Sequence, residues 1–249
     1  MNRLFETLRA AKHVAVLTGA GVSAASGVPT FRGAGGMWKQ FRPEDLATAH
    51  AFARDPVSVW EWYDWRRQLI AKVEPNAAHH VLARWESRFP AFTLITQNVD
   101  GLHERAGSTR LVRYHGSIWR LQCAVPCDAG VAGWDDLRAP LPDLPPRCPH
   151  CGALARPGVV WFGEPIPPLA ARDASRAAAN CDVFLTIGTS SLVYPAAALV
   201  HEAARHGAFT VEINVESTEA SGAVDVAIER PAETVLPEIA DRLGDQASR

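Results

Sequence analysis

The junction between His13-Val14-Ala15-Val16-Leu17-Thr18 and Gly19-Ala20-Gly21-Val22-Ser23 constrains the fold more than any other part of this chain. Residues 14–18 are apolar on both faces, which predicts a strand inside a parallel sheet. Gly-x-Gly directly after such a strand lets the backbone turn tightly and approach a pyrophosphate, with a helix N-terminus behind it. Taken alone, Gly19-x-Gly21-x-x-Ala24 is a weak dinucleotide signal. Here a second glycine group follows, Gly33-Ala34-Gly35-Gly36, with Thr30-Phe31-Arg32 between the two. Residues 19–38 therefore predict a long mobile loop carrying an aromatic ring and a cation, where a plain fingerprint would continue as helix.

Further strand-like runs lie at 92–96, 182–187 and 208–213, with a weaker one at 224–228. Helical patterns fall between them, at about 76–89, 166–179 and 195–206, with a last helix near 232–243. Strands that alternate with helices and are apolar on both faces predict an α/β fold with a doubly wound parallel sheet. Two segments break the alternation. Residues 42–75 are helical and aromatic-rich, with Trp60, Trp62, Tyr63 and Trp65 in one helix opened by Asp55 as N-cap and Pro56 at its first position. Residues 118–158 are rich in Pro, Gly and Cys and show little periodicity. Both are expected as insertions over the carboxyl ends of the strands, where ligands of open α/β sheets bind.

A chain of 249 residues that is 47% hydrophobic suits one large domain or a domain with a small insert. With 25 basic and 27 acidic residues the net charge is −2, so no nucleic-acid footprint shows. No apolar run reaches membrane-spanning length, and the N-terminal residues lack a signal-peptide core, which predicts a cytoplasmic protein. Cysteines in that compartment point to metal or core roles rather than disulfides. Cys123 and Cys127 form one close pair and Cys148 and Cys151 another, separated by 20 residues. Two thiolate knuckles at this spacing close a tetrahedral Zn²⁺ site and hold together a segment too small to bury its own core. Four thiolates leave no position open for water, so the ion is structural. Cys181 begins an apolar run and is expected in the core.

The strand at 92–96 ends in Gln97-Asn98-Val99-Asp100-Gly101. These polar groups either face a ligand at the sheet's carboxyl edge or cap the turn into the helix Leu102-His103-Glu104-Arg105. Gly188-Thr189-Ser190-Ser191, after the run at 182–187, is a small-residue turn able to present N–H groups and hydroxyls to phosphate or ribose. Asn214-Val215-Glu216 places an acid at a strand end, where ribose hydroxyls could be held, although far later than in a simple dehydrogenase. His115, in Arg113-Tyr114-His115-Gly116-Ser117, opens the cysteine-rich insert beside a flexible glycine, and its near-neutral pKa suits a general base. His79 and His80 read as first-turn helix residues without a partner.

GAGVSAASGVPTFRG, TQNVDGLHERAG, YHGS, the paired cysteines, and RPGVVWFGE followed by IGTS and INVE stand in one fixed order. Together they resemble the sirtuins, NAD-dependent protein-lysine deacylases, over about residues 1–243. The resemblance implies a Rossmann-like core at about 1–41, 76–117 and 159–243, a helical insert at 42–75 and a zinc-binding insert at 118–158. It implies that Gly19, Ala20, Gly21 and Ser23 cradle the pyrophosphate, with Phe31, Arg32 and Trp38 on the cofactor loop. Gln97, Asn98, Val99 and Asp100 would line the nicotinamide and inner-ribose pocket. Gly188, Thr189, Ser190, Asn214, Val215, Glu216 and Ala232 would hold the adenosine half. His115 would be the base, with Asn98 beside it as a catalytic residue. Val159, Trp161, Phe162, Gly163 and Glu164 match the strip that pairs with an extended acyl-lysine peptide. The implied reaction consumes NAD: nicotinamide leaves the ribose as the acyl oxygen attacks, and the products are lysine, nicotinamide and O-acyl-ADP-ribose. A monomer is expected, with acylated proteins as partners.

Tyr63 and Arg66 lie at i and i+3 on the aromatic helix. From spacing alone they could simply be packed, Tyr63 in the core and Arg66 snorkelling. In the resemblance, Tyr-x-x-Arg marks the sirtuin branch that removes succinyl and malonyl groups, and Ala47 falls where that branch widens its acyl pocket. Desuccinylation and demalonylation, with deacetylation alongside, are therefore expected. Plain deacetylation and mono-ADP-ribosyl transfer are the competing activities.

Overall fold

The computed structural model describes residues 2–31, 37, 42–127 and 133–245. After a first helix, α1 (Asn2–Ala10), strand β1 (His13–Thr18) enters the centre of the molecule and ends at a short 3-10 helix, Ala20–Ser26. Three helices follow, α2 (Pro43–Leu46), α3 (Ala49–Arg54) and α4 (Pro56–Ile70), then α5 (Ala77–Arg88), β2 (Ala91–Thr96), α6 (Leu102–Arg105) and β3 (Leu111–Arg113). The chain continues through β4 (Gly116–Cys123), β5 (Trp134–Asp135), β6 (Ala155–Val159), α7 (Pro168–Asn180), β7 (Val183–Ile187), α8 (Ala198–Arg205), β8 (Phe209–Asn214), β9 (Val226–Glu229) and α9 (Ala232–Leu243).

Six strands form one sheet in the order β3-β2-β1-β7-β8-β9, and every neighbouring pair is parallel. This is the Rossmann-type order, with the direction of winding reversing between β1 and β7. The period-two alternation of β1 shows the double winding directly. Val14 and Val16 pack under α1, α5 and α9 with Leu4, Leu8, Trp85 and Leu236. Ala15 and Leu17 face the other side and pack with Phe184 and the alanines and leucine of α7 and α8. The glycine turn after β1 leads into the seven-residue 3-10 helix rather than a long helix. The second glycine group and Arg32 lie outside the described residues, as does Trp38.

The aromatic insert is helical as expected. Asp55 accepts from the Ser58 N–H at 3.1 Å and caps α4, with Pro56 in its first turn. The cysteine-rich segment differs from expectation: β4 starts at Gly116 and, with β5 and β6, makes an antiparallel three-stranded sheet. Its pattern was hidden because β5 and β6 are short and separated by proline-rich loops. Helix α4 lies against this sheet, and Trp60, Tyr63, Ile118, Leu121 and Trp161 share one core. Polar ties lock the two: Trp60 Nε1 donates to the Ala155 carbonyl at 2.8 Å, and the Leu141 N–H donates to Asp64 at 2.8 Å. Arg67, wholly buried, donates to the carbonyls of Ile118, Asp136 and Arg138 and pairs with Asp136 at 3.3 Å. Among the described residues no helix is long and apolar enough to cross a membrane.

Candidate active site

The carboxyl ends of β1, β2, β7 and β8 meet below the helical and cysteine-rich layers, and a cleft of about 750 Å³ opens between them. Glycine is required where β1 and β7 end. A Cβ on Gly21 would stand 2.7 Å from the Gly188 Cα, and one on Gly188 would stand 2.4 Å from the Val22 nitrogen. Gly188 also has a φ of +61°, the left-handed region. The two turns therefore approach backbone to backbone, and Gly21 N–H donates to the Gly188 carbonyl at 2.8 Å. Gly19, Ala20, Gly21, Gly188, Thr189 and Ser190 line the cleft at this point. A cradle of small residues at a topological switch point fits a pyrophosphate.

Side chains bridge the strand ends. Gln97 Nε2 donates to Thr189 Oγ1 at 3.0 Å, and Asn214 Nδ2 donates to the Thr189 carbonyl at 3.2 Å. Asn98 Nδ2 donates to the Gly19 carbonyl at 3.1 Å and to Ser23 Oγ at 3.2 Å. Ser23 in turn donates to Asp100 at 2.8 Å, while the other carboxylate oxygen accepts from Leu102 N–H at 2.9 Å. Burial pushes the Asp100 carboxyl above the usual range. Asp100 is thus a turn cap, while Gln97, Asn98 and Val99 reach the cleft, so the two readings of 97–101 divide between the residues. Asn98, Gln97 and Val99 line the cleft, whereas Ser23 and Asp100 stand behind it.

His79 corrects the sequence expectation. It sits in the first turn of α5, but it has partners: Asn76 N–H donates to Nδ1 at 3.3 Å, completing a capping box. Nε2 is therefore the protonated nitrogen and faces Ser23 Oγ at 3.4 Å. Its ring also lies 4.8 Å from that of His103. Desolvation lowers the His79 pKa from 6.5 to about 4.

His115 lines the same cleft, and its Nδ1 lies 3.2 Å from the Gln97 carbonyl oxygen. Behind it, the Val160 N–H donates to the His115 carbonyl at 2.9 Å, which joins the histidine to the strip 159–164. Along that strip the Phe162 N–H goes to the Ala47 carbonyl and the Glu164 N–H to the Trp161 carbonyl. The Trp161 N–H goes to the Glu164 carboxylate. Among residues 160–164 only the Gly163 N–H has no hydrogen-bond partner among the described residues. Glu164 is not a free acid: Arg156 holds both its oxygens at 2.6 and 2.8 Å. The side chain thus closes the turn that presents Phe162, which is 45% exposed.

Ala47, Tyr63 and Arg66 line the cleft from the helical insert. Arg66 is only 6% exposed, and its guanidinium carbon stands 4.9 Å from the Phe31 and Trp62 ring centroids and 5.9 Å from that of Tyr63. Among the described residues no hydrogen bond or ion pair engages it. Desolvation lowers its pKa, opposed by Tyr63 and Asp100. A buried guanidinium boxed by aromatics and left without an acceptor is a ready partner for a carboxylate.

The sulfurs of Cys123, Cys127, Cys148 and Cys151 lie within 4.8 Å of one another, and those of Cys123 and Cys151 are 3.5 Å apart. Tetrahedral Zn–S bonds of about 2.3 Å place sulfurs about 3.8 Å apart, so four thiolates here fit one structural zinc ion. His150 is exposed and outside the cluster, and Cys181 is buried in the core, where desolvation raises its thiol to about 12.

Val215 and Glu216 line the cleft at the end of β8. Ala232 does not: it is the first residue of α9, and its side chain is buried in the core beneath. Sequence reading missed Thr30, Trp62, Val193, Tyr194 and Pro195, which also line the cleft. The signal for the last three was their position two residues beyond Gly188-Thr189-Ser190.

Residues 19–195 match the sequence profile of the Sir2 family. An NAD-dependent protein deacylase of Aquifex aeolicus (strain VF5) is 48% identical over 234 residues, 94% of this chain and 96% of that protein. The crystal structure of a Sir2 homologue–NAD complex superposes with a TM-score of 0.91 at 40% identity, over 98% of this chain and 94% of that one. Sir2 bound to an acetylated peptide superposes at 0.87 with 26% identity, over 99% of both chains. A glycine cradle between β1 and β7, a histidine anchored on Gln97, a four-cysteine cluster and these matches give one conclusion: the chain belongs to the Sir2 family, the sirtuins.

Proposed function

We propose that this chain is an NAD-dependent protein-lysine deacylase that accepts acyl groups ending in a carboxylate, succinyl and malonyl, as well as acetyl. The deacylase reading is supported by family membership and by the convergence of the glycine cradle, Asn98 and His115 on one cleft. The NAD complex of a structural relative supports NAD as co-substrate, and the acetylated peptide held by another supports acetyl-lysine as a substrate. The carboxylate preference is carried by Arg66, buried, boxed by aromatic rings and without a hydrogen-bond or ion-pair partner among the described residues.

Bound NAD supplies a glycosidic carbon that can be attacked once nicotinamide leaves. The chain's own residues arrange and protect that event. Gly19, Ala20 and Gly21 with Gly188 let the backbone come close to the pyrophosphate. Asn98 and Asp100 are fixed by their hydrogen bonds to Gly19, Ser23 and Leu102, so the pocket beneath the ribose is rigid before anything binds. His115 holds a neutral imidazole against the Gln97 carbonyl, leaving Nε2 as the proton acceptor. Phe31 and Phe162 line the cleft with apolar surface, which would keep water from the glycosidic carbon. Cys123, Cys127, Cys148 and Cys151 would hold zinc, which would tie together the segment that carries β4.

Steady-state rates on matched acetyl and succinyl peptides test this reading, for wild type and Arg66→Met. The substitution is expected to lower kcat/KM on the succinyl peptide by about tenfold or more beyond any change on the acetyl peptide. Equal losses on both would leave plain deacetylation and remove the carboxylate role.

A further inference from the structure

Trp161 stands where the peptide strip meets the acyl end of the cleft, and its indole Nε1 lies 3.0 Å from the Tyr63 hydroxyl oxygen. We propose that Trp161 is a positioning residue for acyl selectivity: its N–H fixes the Tyr63 hydroxyl as a hydrogen-bond donor into the acyl pocket beside Arg66. This rests on the carboxylate reading of the pocket given above.

An indole nitrogen donates and cannot accept. The Tyr63 oxygen is therefore the acceptor in this contact, and its own proton points away from Trp161. Among the described residues no acceptor takes that proton, although Tyr63 is only 3% exposed. Burial raises the Tyr63 pKa, so the hydroxyl stays protonated at neutral pH. This part of the cleft then offers a phenolic O–H and a guanidinium, both buried and both without an acceptor among the described residues. A terminal carboxylate satisfies the two together, and an acyl group without one satisfies neither.

Trp161 is itself held on several sides, as orienting another side chain requires. The Arg156 guanidinium carbon stands 3.6 Å from its ring centroid, and the Phe52 ring lies 5.4 Å away. Glu164 accepts from the Trp161 backbone N–H at 2.9 Å and from Arg156 through both oxygens. The Arg156–Glu164 pair thereby clamps the tryptophan ring and backbone at once. A tyrosine without this neighbour could turn its proton toward any acceptor and would discriminate less.

The test is the ratio of kcat/KM on succinyl and acetyl peptides of one sequence. Trp161→Phe keeps a ring against Arg156 and removes the N–H. It is expected to lower the succinyl-to-acetyl ratio about fivefold, mainly through KM for the succinyl peptide. In a Tyr63→Phe background the same substitution should change the ratio by less than about twofold, because the hydroxyl it orients is gone. A ratio indifferent to Trp161→Phe, or effects of the two substitutions that multiply, would overturn the proposal. Tyr63→Phe alone is a second arm that needs no stable Trp161 variant, and an unchanged ratio there overturns it too. Arg66→Met separates the levels. A ratio it leaves unchanged removes the carboxylate reading and the proposal with it, whereas a ratio it collapses while Trp161→Phe does nothing removes the proposal alone.

Discussion

The ring of His115 leans on the backbone of Gln97, with Nδ1 3.2 Å from the carbonyl oxygen. A carbonyl only accepts, so Nδ1 carries the proton of the neutral ring and Nε2 carries the lone pair. The end of β2 thus sets the tautomer, a task that a carboxylate performs in serine-protease triads. Burial lowers the His115 pKa, partly opposed by this same hydrogen bond. The base form is the neutral one, so activity lost on acidification should be lost below the ordinary histidine value of 6.5. The pH profile of kcat/KM checks this, and an acid limb above 6.5 contradicts it. His115→Ala should cost about 10²- to 10⁴-fold in turnover at the plateau.

His79 gives stability its own pH dependence. Its pKa falls from 6.5 to about 4 on folding because the ring is desolvated. Between those values the unfolded chain binds a proton that the folded chain excludes, so stability is full above about 6.5 and declines as pH falls toward 4. The shift corresponds to about 3 kcal/mol. His103, tilted against it and wholly buried, is lowered in the same direction. Urea unfolding at pH 7 and pH 5 should show the decline, and His79→Gln should reduce it, leaving the part that His103 contributes. A slope unchanged in the variant would place the titration elsewhere.

The large sheet was legible because its strands carry apolar residues on both faces, and β1 shows why: Val14 and Val16 serve one core and Ala15 and Leu17 the other. The small antiparallel sheet was not, since β5 has two residues and β6 reads Ala-Arg-Pro-Gly-Val, with no hydrophobic period to detect. At the site, motif residues with side chains aimed at the cleft, Gln97, Asn98 and His115, could be placed in advance. Residues whose role is mutual engagement could not. Glu164 belongs to a turn whose acid is satisfied by Arg156, and His79 is engaged by a backbone N–H and Ser23 from other elements. Sequence spacing carries no sign of either contact.

Arg67 joins the helical insert to the zinc-bearing sheet, and removing it should loosen both. Its guanidinium is fully buried, holds three backbone carbonyls and pairs with Asp136. It also stacks 5.0 Å from the ring of Trp119, whose indole N–H caps the Asp100 carbonyl at 2.6 Å. Arg67→Met leaves those carbonyls without their donor and should destabilise the chain by about 3–5 kcal/mol, as loss of one partner of a buried ion pair does. Zinc should also pass faster to a chromogenic chelator. A denaturation midpoint shifted by less than about 1 kcal/mol, with unchanged zinc release, would show the insert and the sheet to be energetically separate.

Gly188 is the sharpest steric requirement in the cleft. A side chain there must adopt a φ of +61° and would place its Cβ 2.4 Å from the Val22 nitrogen and 2.7 Å from the Gly21 carbonyl carbon. The obstacle is backbone on both sides, so no rotamer relieves it, and the turns after β1 and β7 must separate. Those turns carry Gly19, Ala20 and Gly21 on one side and Thr189 and Ser190 on the other, all facing the dinucleotide end of the cleft. Tyr63 and Arg66, the residues proposed to face the acyl group, rest on α4 and on neither turn, so the separation should leave them in place. Gly188→Ala should therefore raise KM for NAD about tenfold or more while changing KM for the acyl peptide by about twofold at most. Equal changes in both constants would mean that the turns move as one body with the acyl pocket, and the division of the cleft into two ends would be wrong.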